Sequence, residues 1–547
     1  MWPLEGIGNG NEGRGGTQYR ASYLAAPQRN PGAALPSNRG KAIPAPGGDA
    51  PHPHPPVGIC PAYPILPGDR TFTQTGNGGA RAPISNIPRS PKMQVAIQSL
   101  PFHSGPARRL RAGSAALRRV SGLAAGYAAA ASLLLVLVLG STPAHAEDKP
   151  EVTKAKLGFI ALNDFAPLAI AKEKGLFAKY GMPDVEVLKQ ASWGATRDNL
   201  ELGSGNGGID GAHILTPMPY ALTLGLVTKG NKPCPMYILA RLNYNNQSIS
   251  VASKYMEDGI GVSSAGFRPW IDQAKKKGAK PLTFAMTFPT GTHNYWIRYW
   301  LAAGGIDPDA DVATIVIPPP QMVANMRVGN MDAFCVGEPW GQQLINQRIG
   351  YTAVQTQEIW KDHPEKSFGM RKDWVDAHPI ATRALLKAVM EAQIWCDNPK
   401  NAEEMAKILA NKNWINCNVE DLLPRIKGHT EYGDGKRKPK EGEFMKFWRD
   451  HAGFPYKSHD KWFLAETRRW GFLPNGVDYD KVVGEVNRAD IWKECAKAIG
   501  QEAMIPASDS RGVETFFDGV TFDPADPEAY LAKLKIKNLD GKKGAKK

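Results

Sequence analysis

Cysteine is scarce in this chain of 547 residues, with 6 in all. None of the five beyond residue 146 (Cys234, Cys335, Cys396, Cys417 and Cys495) stands at metal-ligand spacing. An odd count cannot pair fully within one chain. In an oxidising compartment Cys396–Cys417 is the nearest pair for a disulfide, and buried free thiols are the equal alternative. A phosphate-binding G-x-x-x-x-G-K-[ST] loop is also missing, so any ATP-driven step belongs to other chains. Excess charge is missing too. The formal net charge is +14, but residues 1–146 hold 14 Lys and Arg against 4 Asp and Glu, which leaves about +4 for the rest. A surplus that small, much of it in the solvated end KNLDGKKGAKK, does not imply nucleic acid.

Long apolar runs are limited to Leu123–Gly140, and its setting is informative. Arg108, Arg109, Arg111, Arg118 and Arg119 precede it, and STPAHA follows, with Ala144 and Ala146 forming an A-x-A site. Basic, apolar and small-residue segments in that order read as a cleaved signal peptide over 93–146, with the mature chain beginning at Glu147. A membrane anchor is the competing reading, because the run is nearly long enough to span a bilayer. Arg118-Arg119 permits twin-arginine as well as general export, and no cysteine at the cleavage point supports a lipid anchor. Residues 1–92, dense in Gly, Pro, Asn and Arg, read as disordered or as a mis-called extension ahead of a start at Met93.

From residue 154 apolar runs of strand length alternate with segments of helical period. AKLGFIAL is a strand that runs into NDFAPLAIAKEKGLFAKYG, a piece of helical period, and Val185–Lys189 and Met236–Leu242 are further strands. The scheme repeats over Leu282–Thr287, a helix opening near His293 and running to Ala303, Val312–Ile317, the helix Gln321–Val328, and Met331–Val336, which ends in GEPW. Such alternation predicts parallel α/β sheets that bind ligands at the carboxyl ends of their strands, where a helix N-terminus suits a small anion. The expected fold is α/β and two-lobed. One lobe takes about 154–255 plus 380–500, the other about 256–379, and about 501–547 forms a C-terminal tail. Asp307–Asp311 and Glu338 are oxygen-rich, but a polar turn and a single carboxylate make no calcium site, so neither a metal nor a cofactor is expected.

Two exported α/β lobes with facing loops describe a periplasmic-type (type II) solute-binding protein with its ligand cleft between the lobes. From Lys154 to about Gly500 the chain resembles the nitrate/bicarbonate-binding proteins of bacterial ABC importers, and more widely the sulfonate- and taurine-binding group. The stretches that carry the resemblance include LGFIALNDFAPLAIAKEKGLFAKYG, QASWGATRDN, GGIDGAHILTPMPY, TFPTGTHNYWIRYWLAAGGIDPD, MRVGNMDAFCVGEPW, HPEKSFGMRKDWV and YKSHDKWFLAETRRWGF. The resemblance implies a monomeric receptor that is not an enzyme and that hands nitrate or nitrite to a membrane permease and its ATPase. A bicarbonate or sulfonate binder, a pyridoxal-phosphate-dependent pyrimidine-precursor synthase on the same fold, and a nitrate sensor are the alternatives.

The resemblance also implies the ligand residues. Trp193 in QASWGATRDN packs beside the ligand, Gln247 in NNQSIS donates to it, and His293 in PTGTHNYW contacts it from a helix start. Thr290 and Thr292 add hydroxyls, one of which N-capping would also explain. Lys366 in HPEKSFGMR discriminates. Nitrate binders carry lysine at this position, and bicarbonate binders an acidic residue that helps hold a metal ion. Nitrate, a weakly basic planar monoanion, rewards donors and one fixed positive charge in a dry cleft. If His293 charges as pH falls, the anion would also gain from it.

Overall fold

The computed structural model describes residues 149–442 and 445–541. The upstream segment 1–92, the signal segment 93–146 and the lysine-rich end beyond 541 lie outside the described residues. Ten strands build two five-stranded sheets. In the first, β1 (Lys156–Phe159), β2 (Glu186–Lys189) and β3 (Gly211–Leu215) are parallel. In the second, β6 (Thr283–Met286), β7 (Ala313–Val316) and β8 (Ala333–Gly337) repeat that arrangement.

Each sheet is completed by antiparallel strands. β10 (Pro364–Arg371) lies between β3 and β4 (Met236–Tyr244), giving the order β2-β1-β3-β10-β4. β5 (Gln247–Ala252) lies between β8 and β9 (Gly350–Gln355), giving β7-β6-β8-β5-β9. From the edge strand of each sheet (β4, β9) the chain crosses to the other sheet and enters it one place in from the edge (β5, β10). β3 and β10 approach so closely that a Cβ on Gly211 would meet Met370 Sδ at 1.9 Å and Gly369 O at 2.8 Å. Only glycine fits there.

The chain crosses between sheets at Asn245–Asn246 and between Gln355 and Pro364, earlier than the expected boundaries near 255 and 379. Neither β5 (QSISVA) nor β10 (PEKSFGMR) is an apolar run, so the sequence reading names no strand at either, and which sheet each joins is decided by long-range pairing. Asn245 and Asn246 take left-handed φ values of 65° and 79°, a region that Asn tolerates better than other side chains. The crossings are bonded to each other: Asn245 N donates to His363 O at 3.0 Å, and the Asn245 amide donates to Asp362 Oδ1 at 3.1 Å.

Two large apolar cores result. The first packs Leu157, Phe159 and Ile170 against the long helix Pro379–Cys396 through Leu385 and Val389. The second gathers Val251, Phe284, Trp296, Trp300 and Trp360. Here the structure corrects the sequence reading in two places. The helix Lys457–Arg469, expected wholly on the first lobe, bridges the two. Its Asp460 pairs with Arg241 on β4, while its Trp462 stacks on Trp296 at 5.2 Å. The segment expected as a tail contributes Phe516, Phe522, Tyr530 and Leu531 to the second core, with Phe516 stacked on Trp462 at 5.5 Å. Amphipathic period shows that a face is buried but not what covers it. All five described cysteines are free thiols, so the Cys396–Cys417 alternative is not formed.

Phe516→Ala should therefore cost about 3–5 kcal/mol in chemical denaturation, as for other large-to-small core changes. A loss below about 0.5 kcal/mol would return the segment to the status of a surface tail.

Candidate functional site

Where the two sheets meet, Lys366 lies on β10 with a fully buried side chain. Neighbouring strand residues normally face opposite ways, but the register of β10 against β4 slips on both sides of Lys366. Irregularities of this kind re-aim side chains, and both Glu365 and Lys366 reach the junction. Lys366 Nζ donates to Asp164 Oδ2 at 2.8 Å and to Glu365 Oε1 at 2.9 Å, and it lies 5.9 Å from the centre of the Trp193 ring.

Asp164, in the loop after β1, gathers donors from both sheets. His213 Nε2 on β3 is 2.7 Å from its Oδ1, and Gln247 Nε2 on β5 donates to its Oδ2 at 3.1 Å. A carboxylate must accept from that amide nitrogen, so the Gln247 carbonyl oxygen points to His293 Nε2 at 2.7 Å. The network thus assigns the His293 proton to Nε2, leaving Nδ1 to accept from the Thr287 hydroxyl at 2.6 Å. Glu365 in turn accepts from the Thr292 hydroxyl and, at 2.8 Å, from the Trp296 indole N–H. His363 Nδ1 lies 3.7 Å from it and His293 Nε2 3.8 Å.

Burial sets the protonation states, and charge modifies them. Burial holds the imidazoles of His293 and His213 below the ordinary histidine range, and the Lys366 charge adds to this in both. Burial alone would raise Asp164, but Lys366 and His213 outweigh it and hold the carboxyl well below the usual range. For Glu365 burial wins over Lys366 and the hydrogen bonds, and its carboxyl is raised. Burial would lower Lys366, but its two carboxylate partners raise it, so the ammonium stays charged.

The family profile described as the NMT1-like family matches residues 148–410. The nitrate/nitrite binding protein NrtA of Synechococcus elongatus is 57% identical over 403 residues, covering 73% of this chain and 91% of that protein. The bicarbonate-binding protein CmpA of the same organism is 45% identical over 405 residues, covering 72% and 89%. The crystal structure of the periplasmic nitrate-binding protein NrtA from Synechocystis matches with a TM-score of 0.69 at 58% identity, covering 71% of this chain and all of that one.

The chain belongs to this NMT1-like nitrate/bicarbonate-binding family. Of the residues expected to bind a ligand, Trp193, Gln247, Thr292, His293 and Lys366 share one hydrogen-bonded or ring-contacting cluster in this family member. Trp193 is fully buried, its ring lies 5.5 Å from that of His213, and its indole N–H has no hydrogen-bond partner among the described residues. The buried Thr290 hydroxyl is likewise unpartnered, and neither threonine caps the helix Thr292–Ala303, whose N-cap is Gly291. Thr292 instead donates to Glu365. His293 is a neutral relay between Thr287 and Gln247 and, contrary to the sequence expectation, does not charge on mild acidification.

Sequence reasoning missed Asp164, His213, Glu365 and Gly337. A Cβ on Gly337 would come within 2.7 Å of Gln247 Oε1 and 3.3 Å of Asp164 Oδ2. The available signal was a polar residue in or directly after an apolar strand, in IALNDF and GAHIL. Glu338 next door is occupied otherwise, accepting from Ser248 at 3.2 Å and from Gln342 N at 2.9 Å, with Arg425 3.7 Å away. The Asp307 carboxylate accepts backbone N–H groups of its own turn, and Asp311 pairs with Arg268 and Lys275.

Burial holds His363 down at about 3, and His459 likewise at about 3. An unfolded chain protonates these imidazoles near pH 6.5 while the folded chain does not, so their contribution to stability is whole above that pH and is lost as pH falls toward 3. The depressed Asp164 acts in the same direction at lower pH, and the raised Glu365 acts against it. Denaturation of the ligand-free protein should show stability falling from about pH 7 to about pH 5, by up to about 1.4 kcal/mol per pH unit for each neutral histidine. Stability that holds steady or rises on acidification would contradict these buried neutral imidazoles.

Proposed function

We propose that this protein is the periplasmic substrate-binding component of an ABC importer, taking nitrate or nitrite between its two lobes and delivering it to a membrane permease driven by a separate ATPase. The observation that carries this reading is Lys366, a fully buried ammonium beside Trp193, Gln247 and His293. Nitrate offers three weak acceptor oxygens and a single charge. Away from water, one fixed cation and a few neutral N–H donors are worth far more to such an ion than they would be at the surface. The unpartnered indole N–H of Trp193 and hydroxyl of Thr290 are donors in reserve. The names of the relatives at 57% and 45% identity point to nitrate, nitrite or bicarbonate, and the lysine favours the first two. Export through the segment 93–146 and a monomeric receptor belong to the same proposal.

An enzyme reading has less support. A lysine that attacks the aldehyde of pyridoxal phosphate needs a free amine. Lys366 is instead held protonated by Asp164 and Glu365. Bicarbonate held through a metal ion has less support too, because the carboxylates nearest position 366 are both engaged by its ammonium.

Calorimetric titration with nitrate tests the assignment. Lys366→Glu should lose nitrate through like-charge repulsion in a dry site, and Lys366→Ala should weaken binding less. Removing one partner of a buried charge-assisted contact typically costs about 2–5 kcal/mol, or roughly thirty- to several-thousand-fold in affinity. Nitrate binding by Lys366→Glu as tight as the parent's would remove the main support for nitrate.

A further inference from the structure

On the nitrate reading, the site has more negative charge than its ligand can tolerate. Lys366 is the one cation hydrogen-bonded to this cluster among the described residues, and it is shared by Asp164 at 2.8 Å and Glu365 at 2.9 Å. The imidazoles on either side add no charge. His293 is engaged at both nitrogens, and His213 offers Asp164 one N–H while its Nδ1 has no partner. With both carboxylates ionised the cluster carries one net negative charge, and a bound nitrate would add a second where no solvent screens it. Like charges in contact in a dry site do not both persist, and one group neutralises.

We propose that Glu365 takes up a proton when nitrate binds, so that this protein captures its anion together with one H+. Hydrogen bonding selects Glu365 over Asp164. Asp164 faces only donors: Lys366, the Gln247 amide and His213 Nε2. A proton on Asp164 would force that of His213 onto a nitrogen with no partner. Glu365 has the Thr292 hydroxyl against it, which reverses from donor to acceptor by rotation. The remaining groups that face Glu365 are the Trp296 indole N–H, His363 and His293 from 3.7 and 3.8 Å, and the buried Cys335 thiol of β8, whose ionisation Glu365 opposes. Burial already biases Glu365 toward its protonated form and Asp164, on balance, away from it.

The proton comes from solvent. Linkage then requires nitrate affinity to rise by up to about tenfold per unit fall in pH, between the values at which Glu365 titrates in the free and bound protein. The test is calorimetric titration of the full mature chain with sodium nitrate, at one pH, in buffers of different ionisation enthalpy, repeated across pH for the parent and Glu365→Gln. Uptake approaching one proton per nitrate in the parent, abolished in Glu365→Gln together with the pH dependence of affinity, supports the proposal. Nitrate binding by the parent with no proton uptake and a flat pH profile overturns it, as does uptake that survives in Glu365→Gln. Should Glu365→Gln fail to fold, the proton count of the parent decides alone. If the parent binds no nitrate at any pH, the nitrate reading itself has failed, and the proposal falls with it.

Discussion

An ammonium group taken fully out of water must be paired, and meeting that requirement for Lys366 organises the centre of this protein. The desolvation cost of a buried charge is several kcal/mol, and attraction offsets it only when the remaining protons are well satisfied. Asp164 comes from the loop after β1, Glu365 from the neighbouring position on β10, and the Trp193 face from the start of a helix. Asp164 then reaches the second sheet through Gln247, which orients His293. A single charge on the first sheet is thereby connected by three hydrogen bonds to a helix N-terminus on the second.

The crossings between sheets are built from residues adjoining the same cluster. Asn246, at one crossing, exchanges amide hydrogen bonds with Asn163, which precedes Asp164. Gln247 follows it directly and opens β5. At the other crossing His363, two residues before Glu365 on the chain, has its Nε2 2.7 Å from the Thr356 hydroxyl. On the proposed reading the crossings and the binding site share side chains, and a change of angle between the sheets must alter the contacts of Gln247 and Glu365. Interlobe closure and ligand contact are physically one event in such an arrangement.

β1, β2, β4, β6, β7 and β8 were legible in the sequence as apolar runs of strand length, whereas β5, β9 and β10 were not, because polar residues and glycine interrupt their apolar ones. Trp193, His293 and Lys366 were legible as members of one cluster because they sit in stretches that resemble a known family, while Gln247, in NNQSIS, lies outside those stretches. Asp164, His213 and Glu365 were not, because a lone polar residue in an apolar segment has the same local signal whether it serves a site, a cap or a core hydrogen bond. The division of the lobes was blurred for a related reason. β5 and β10 swap sheets through pairings far apart in the chain, and the helix Lys457–Arg469 presents Trp462 to one core and Leu464 to another apolar cluster beside β4. Local pattern carries no information about which distant surface an apolar face will meet.

On the proposed reading one buried lysine charge suits the junction of the two sheets to a bare monoanion rather than to an anion held through a metal. The deciding measurement is calorimetric comparison of the protein with nitrate alone and with bicarbonate plus calcium. A charge fixed at Lys366 predicts saturable nitrate binding and no calcium-dependent uptake of bicarbonate. Calcium-dependent bicarbonate binding without any response to nitrate would contradict it.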